Sequence, residues 1–231
     1  MAKSKIIKDL ANSEIDIQIA LKRAKILFSD LKNKELLKWV NNELVGYNTA
    51  EELPDYRIIE GEMFGSYFKG SMAQHIKWNN VSIPLGNMPE KEKKELLKIY
   101  IYDGVEALNN LVKQSTEKEG KLVKNIPADL LPAISLYNND RYMMITSAKV
   151  VIGFHNITNI IAIIENRLLD ALLLLENEFG CLDELDLSVS EKTKDEINDI
   201  AQKVAVIIYN DNSVNIGDGN KISNSDIISE T

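Results

Sequence analysis

Some residue types are scarce in this sequence, and each scarcity excludes certain kinds of structural or functional site. Its 231 residues include one cysteine, Cys181, and two histidines, His75 and His155, far apart in the chain. A single cysteine excludes a disulfide within the chain, which fits a reducing cytosol. Neither histidine has the neighbouring cysteines or spaced carboxylates of a zinc site, so we expect no metal and no cofactor.

Long apolar runs are also missing. The most apolar region, residues 150–175, is interrupted by asparagines and by charged residues such as Glu165 and Arg167, and it does not predict a transmembrane helix. The opening segment MAKSKIIKDLANSEID lacks the apolar core of a signal peptide. We therefore expect a cytoplasmic protein that is not bound to a membrane.

Positive charge is in deficit, and unevenly so. The chain has 27 basic and 35 acidic side chains, a net charge of −8. Residues 1–50 hold 9 basic and 6 acidic groups, whereas residues 126–231 hold 7 and 17. The acidic C-terminal half disfavours broad electrostatic binding to phosphates, so nucleic acid is not expected as the main partner. The basic N-terminal segment is compatible with a local anion contact.

What the sequence does contain is strong helical periodicity. Apolar residues recur every three or four positions over residues 13–45, which predicts a helical hairpin. Asn33 is placed to cap its second helix, and Gly46 suits a left-handed position just past the end. Further helices are predicted over residues 89–114, 127–136, 154–179 and 191–208. The helix at 154–179 is apolar on most sides, which is typical of a helix buried centrally or at a subunit interface.

After the helical hairpin, and before the next predicted helix, the sequence pattern changes to one that is typical of strands. β-Branched and aromatic residues lie between glycines and asparagines across residues 56–84, which predicts two to four short strands. Residues 141–150 predict another strand, and residues 115–125 a polar linker. The expected fold class is α+β, predominantly α-helical, with an N-terminal helical hairpin, a small antiparallel sheet and a long buried C-terminal helix.

The last residues differ in composition from the rest, so we expect one domain over residues 1–209 and a separate tail over 210–231. The tail is rich in Asn, Asp, Ser and Gly, which fits either a disordered segment or a short β-hairpin or β-solenoid-like turn. A small hairpin is marginal in water unless it stacks on another. Its isolated aliphatic residues are therefore candidates for oligomerisation: Val214, Ile216, Ile222 and Ile227.

The junction WVNNELVGYNTAEELPDYRIIEG, residues 39–61, holds the candidate partner or ligand site. Its candidate side chains are Trp39, Glu43, Tyr47, Tyr56 and Arg57. Pro54 predicts an extended entry into a strand on which Tyr56 and Arg57 face opposite sides. A pair between Glu43 and Arg57 would fasten helix to strand, and such a pair is weak support for catalysis. If these groups instead line an open cleft, Glu60 and Glu62 join them as candidates for chemistry.

The same segment carries a family resemblance. LKNKELLKWVNNELVGYN followed by ELPDYRIIEGEMFG resembles the opening signature of the AbiTii domain, which is found in bacterial abortive-infection, anti-phage proteins. The segments IPLGNMP and IIAIIENRLLDALLLLENEFG are similar to further parts of that family, so the resemblance covers residues 10–180. It implies a role in phage defence and transfers no catalytic residue.

Three functions remain open. The favoured one is anti-phage defence through protein–protein association, with a homo-oligomer and a phage or toxin protein as expected partners. The second is a nuclease or nucleotide-acting toxin with a site near Glu43 and Arg57. The third is a sensor that binds a phage protein or a nucleotide signal through the helical hairpin and the strands at 62–84. Enzymatic activity stays undecided, with the non-enzymatic function favoured.

Overall fold

The computed structural model describes residues 3–71, 73–115, 120–209, 214–215 and 221–222. Contacts divide the chain into two units. Unit 1 is drawn from residues 1–47, 103–109 and 161–231. Unit 2 is drawn from residues 48–102 and 110–160.

The regular elements confirm an α+β fold that is predominantly helical. The helices are α1 (Lys5–Ala11), α2 (Ile17–Asp30), α3 (Lys34–Val45), α4 (Glu90–Leu97), α5 (Val105–Ser115), α6 (Leu131–Leu136), α7 (Phe154–Phe179) and α8 (Lys194–Tyr209). The strands are β1 (Ile58–Glu60), β2 (Glu62–Lys69), β3 (Ile76–Ser82), β4 (Lys98–Tyr100), β5 (Lys121–Asn125), β6 (Met144–Gly153), β7 (Val214–Asn215) and β8 (Lys221–Ile222).

Helices α2 and α3 form the predicted hairpin in unit 1. The Asn33 side chain accepts hydrogen bonds from the backbone N–H groups of Glu35 and Leu36, so the predicted cap of α3 is confirmed. Gly46 follows with φ 110° and ψ 169°, so it has the positive φ that favours glycine, although its ψ is not that of a left-handed helix. Helix α1 precedes the hairpin and lies outside the prediction.

The long helix α7 has the predicted bounds and is buried along one stripe. Seven of its side chains are at most 1% exposed: Ile157, Ile160, Ile164, Leu168, Ala171, Leu172 and Leu175. They recur every three or four positions, as expected for a helix packed against its own chain. Residues 154–160 of α7 belong to unit 2, and the remainder belongs to unit 1.

The prediction of one helix over residues 89–114 was wrong. The segment divides into α4, β4 and α5, because β4 pairs antiparallel with β1, with Ile59 opposite Ile99. Gly104 precedes α5, and a Cβ added there would lie 2.5 Å from the Leu44 carbonyl oxygen. The predicted linker at 115–125 was also wrong in part, because β5 pairs with β6 as the last strand of a larger sheet.

That larger sheet is antiparallel, lies in unit 2 and has the strand order β3-β2-β6-β5. Its register shifts between Ser66 and Tyr67, where Ser66 is opposite Ser147 but Tyr67 is opposite Ile145. Thr146 is thus an extra residue, and it places Ile145 and Met144 on the faces opposite to those that strict alternation would give. Ile145 is consequently buried, whereas Met144 is 57% exposed.

Two further expectations concern short segments. Asp55–Arg57 forms a 3₁₀ turn, so the predicted extended strand begins only at Ile58. In the tail, β7 and β8 pair antiparallel, with Val214 opposite Ile222 and Asn215 opposite Lys221. Ile216 and Ile227 lie outside the described residues. Among the residues that the structure describes, no helix is long and apolar enough to cross a membrane.

Candidate functional site

Trp39, Glu43 and Tyr47 lie together in unit 1, at and just beyond the end of α3. All three are buried: Trp39 is 1%, Glu43 0% and Tyr47 7% exposed. The Tyr47 hydroxyl donates a 2.6 Å hydrogen bond to Glu43 Oε1. This hydrogen bond joins the last turn of α3 to the residue after Gly46, and it fixes the chain where it leaves the helix.

Tyr209, at the end of α8, is 38% exposed and contacts the first turn of α3. Its hydroxyl donates to the backbone oxygen of Glu35 at 3.1 Å. Burial, followed by the negative charges of Glu35 and Glu43, raises the pKa of Tyr209 to about 12. The tyrosine therefore stays protonated at physiological pH and acts as a hydrogen-bond donor.

Tyr56 and Arg57 lie in unit 2, in the 3₁₀ turn that precedes β1. Arg57 is 0% exposed. Its Nη1 donates to the Ile101 backbone oxygen at 3.2 Å, and the Ile101 N–H donates to the Arg57 backbone oxygen at 3.0 Å. Arg57 thus continues the pairing between β1 and β4 with both its backbone and its side chain.

The five candidate residues are therefore divided between the units, three in unit 1 and two in unit 2. The pair between Glu43 and Arg57 stays a prediction. Each of these two side chains is 0% exposed, so a substrate arriving from solvent does not reach either in this conformation.

A second candidate surface lies in unit 2 on the four-stranded sheet. Residues directly opposite each other in an antiparallel pair share a face, and the register therefore defines two faces. One contains the buried Met63, Ile145, Val150 and Ile152. The other, which we name the open sheet face, has only half-buried or exposed side chains. These are Glu62, Phe64, Ser66, Phe68, Lys77, Ser82, Lys121, Val123, Asn125, Met144, Ser147, Lys149 and Val151.

One end of the open sheet face is concave. The concavity has a volume of about 810 Å³ and is lined by Phe64, Glu62, Lys121 and Val151 together with Glu60 and His155. That volume lies within the range of small-ligand sites. Glu60 and Glu62, which the sequence raised as chemical candidates, thus line this concavity beside an aromatic ring and a lysine.

Metal binding has no support from this arrangement. Within the described ranges, three or more His, Cys, Asp or Glu residues are nowhere grouped closely enough to hold a metal ion.

Sequence reasoning did not identify the open sheet face. Its residues come from four strands that are distant in the chain, and only the strand register shows which of them are neighbours. One signal was present: the polar Ser66 lies between Phe64 and Phe68 on one face of β2, which fits the solvated face that an antiparallel sheet commonly has.

Comparison with known proteins identifies a family for this chain but no individual relative. The family model AbiTii matches residues 4–200. No curated protein and no solved structure matches the chain.

Proposed function

The chain belongs to the AbiTii family, which implies abortive-infection defence against phages, and we propose that it acts there through protein–protein association and homo-oligomerisation. The observation that supports association is the pairing of β7 with β8 in the tail, with Val214 opposite Ile222. We place this action in the cytoplasm, with a phage or toxin protein as a further partner.

The tail supports association because of its small size. Two paired positions per strand are too few for a hairpin to be stable by itself in water. A third strand or a second hairpin would supply the missing hydrogen bonds and apolar contacts. An identical tail from another copy has the same strand lengths and the same apolar positions, and is therefore a suitable partner.

Helix α7, by contrast, does not support a subunit interface. Its most apolar stripe, from Ile157 to Leu175, is covered within one chain. The apolar character that suggested an interface is thus explained by packing inside the protein, and the proposal rests on the tail.

The enzymatic alternative is less well supported than association. A nuclease or nucleotide-acting toxin needs its reactive groups in contact with substrate, and Glu43 and Arg57 are 0% exposed. Each instead makes hydrogen bonds to groups of its own unit, Tyr47 and Ile101.

The test compares three forms of the protein by light scattering and by survival of bacteria under phage challenge. The full chain is expected to have a mass of at least twice 26.0 kDa, the mass of one chain. Removal of residues 211–231, or the double change Val214→Asn and Ile222→Asn, is expected to lower the mass towards that of one chain and to reduce protection.

The matched control alters the neighbouring opposed pair, Asn215→Ser with Lys221→Ser, and is expected to keep both mass and protection. If the full chain and the truncated chain have the same subunit number, assembly through the tail is rejected. If truncation lowers the subunit number but protection is unchanged, assembly is not what confers defence.

A further inference from the structure

We infer that the open sheet face binds single-stranded nucleic acid, with its bases stacked on Phe64 and Phe68 and its phosphates held by Lys77, Lys121 and Lys149. This inference goes beyond the association proposed above and does not depend on it.

The aromatic part of the surface is built on β2, one of the two central strands of the sheet. Phe64 and Phe68 share its open face and are both half-buried, so each ring is held by its neighbours while part of it contacts solvent. They are four residues apart, roughly 13 Å along the strand. A rigid sheet that presents aromatic rings in this way is suited to stacking unpaired bases, because every base has a flat aromatic surface.

Lysines flank both rings. Lys149 is directly opposite Phe64 on β6, and Lys77 is directly opposite Phe68 on β3. Lys77 Nζ lies 5.7 Å from the centre of the Phe68 ring. The centres of the His75 and Phe68 rings are 5.1 Å apart, and the two rings are in an edge-to-face arrangement. Lys121 lies on the edge strand β5 and is exposed. A strand of nucleic acid that stacks on the rings therefore passes within reach of several positive charges.

The charge of the sheet is opposite in sign to that of the chain. The open sheet face has three lysines, Lys77, Lys121 and Lys149, and one glutamate, Glu62, a net charge of +2, whereas the whole protein carries −8. Local charge governs a local contact. The acidic remainder limits binding to this face, which distinguishes the inference from the broad nucleic-acid binding that the overall charge disfavours.

The same charge pattern disfavours a second copy of this chain as the occupant. Two copies packed symmetrically by this face would bring their lysines together, and like charges in contact oppose association. A polyanion with flat apolar groups complements both the lysines and the phenylalanines.

The concavity beside Phe64 adds a preference among bases. Glu60 and Glu62 line it, and carboxylates accept hydrogen bonds from the amino group of cytosine. Uracil has a carbonyl oxygen at that position and would be repelled. We therefore expect tighter binding of oligocytidylate than of oligouridylate.

The experiment uses the full chain and fluorescein-labelled RNA oligomers of cytidine or uridine about 12 nucleotides long, a length within known single-strand site sizes. Binding is followed by fluorescence anisotropy, beginning at about 50 mM salt because the phosphate contacts weaken as salt rises. A DNA oligocytidylate distinguishes RNA from DNA, and a polyglutamate peptide serves as a competitor without bases.

Phe64→Ala and Phe68→Ala are each expected to weaken binding by roughly 5- to 150-fold, the range for loss of one stacked base. The matched control is Trp78→Ala. Trp78 is opposite Tyr67 on the other face of the same sheet and is 44% exposed, so its loss is expected to leave the affinity unchanged. Circular dichroism and thermal melting verify that each variant is folded.

The lysines provide a readout that a folding defect would not reproduce. Each phosphate contact contributes about −0.7 to the slope of log affinity against log salt for single strands. Lys149→Ala is therefore expected to make the slope about 0.7 shallower. Lys69→Ala is the control, since Lys69 lies on the other face and pairs with Asp140 at 3.4 Å.

The inference is overturned if the wild-type protein binds none of these oligomers at low salt. It is also overturned if Phe64→Ala, Phe68→Ala and Lys149→Ala bind as well as the wild type, because the site then lies elsewhere. Complete displacement of the oligomer by polyglutamate at equal charge would identify an acidic protein surface as the occupant. Loss of a dimer in Lys149→Glu would identify a second copy. Equal binding of RNA and DNA, with the aromatic and lysine effects intact, supports it.

Discussion

Glu176, near the end of α7, is the residue on which the anchoring of the N-terminus in unit 1 depends most directly. Its Oε1 accepts hydrogen bonds from the Ser4 backbone N–H at 2.5 Å and from Ser4 Oγ at 2.6 Å. Its Oε2 pairs with Lys3 Nζ at 2.6 Å. Ser4 Oγ in turn accepts from the Leu182 N–H at 2.9 Å. One carboxylate therefore links the segment before α1 to the residues that follow α7.

The size of the effect follows from the titration of this carboxyl. Burial raises the pKa of Glu176, but the hydrogen bonds from Lys3 and Ser4 outweigh it and lower the pKa from 4.5 to about 2. The Glu176 side chain is 11% exposed but its partner Lys3 is 55% exposed, so solvent screens part of this interaction. Since one pKa unit corresponds to about 1.4 kcal/mol, the shift sets an upper limit of about 3.5 kcal/mol on the stabilisation of the folded state, and the exposure of Lys3 lowers it below that limit.

The pH dependence has a defined direction. The carboxyl of the unfolded chain takes up its proton near pH 4.5, whereas that of the folded chain does so near pH 2. The stabilisation is therefore complete above pH 4.5 and is lost progressively as the pH falls towards 2.

The assay is urea unfolding of Glu176→Gln at neutral and at acidic pH. Trp39 is buried in unit 1 and Trp78 is exposed in unit 2, so a Trp78→Phe background leaves fluorescence that reports on unit 1. We expect the variant to be less stable by about 2–3 kcal/mol at pH 7 and nearly as stable as its parent close to pH 2. Glu178→Gln is the control, because Glu178 is 30% exposed and makes a 3.5 Å pair with Lys192, worth less than about 1 kcal/mol.

A constant difference between Glu176→Gln and its parent at pH 7 and pH 3 would refute this reasoning. The loss would then arise from the shape of the side chain and not from its charge. An equal loss of stability in Glu178→Gln would likewise show that the contacts of Glu176 with Ser4 and Lys3 contribute no more than an ordinary surface pair.

Two further substitutions test local contacts in unit 1 by the same unfolding assay. Tyr47→Phe removes the hydroxyl that donates to Glu43 at 2.6 Å and is expected to cost about 1–3 kcal/mol, because it removes a donor from a buried carboxyl; an unchanged stability would mean that this bond contributes nothing. Asn33→Ala removes the cap of α3 and is expected to cost about 1 kcal/mol, whereas Asn33→Asp keeps an acceptor oxygen and should cost much less.

The helices were predictable wherever burial follows a local period. The apolar stripes of α2, α3 and α7 depend on residues within a few turns of each other, and the sequence displays them directly. The helix prediction was wrong at residues 98–104 because their structure depends on a residue pairing that is distant in the chain. Leu97, Ile101, Val105 and Leu108 fit a helical stripe, but β4 is held by β1, some forty residues earlier in the chain. Sequence periodicity contains no information about such a distant pairing.

The candidate sites were predictable to different degrees for the same reason. Trp39 and Glu43 are one helical turn apart, so their common location follows from the helix. The open sheet face depends on the register of β2 against β6 and on the extra residue Thr146, which turns Met144 outward and Ile145 inward. Strict alternation from Lys149 would have given the reverse assignment.

Because the ribosome synthesises residues 161–209 long after residues 1–47, the core of unit 1 is completed late in translation. Ser4 meets Glu176 across 172 positions of sequence, and bacterial-type synthesis at about 5–20 residues per second needs roughly 10–35 seconds to cover that span. During this interval α1 to α3 have emerged without the helices that complete their core, while most of unit 2 is already made. Their buried apolar face, including Leu21, Phe28 and Val40, is then open to solvent and to chaperones. Early termination of translation would thus release an N-terminal hairpin that is unable to bury its own core.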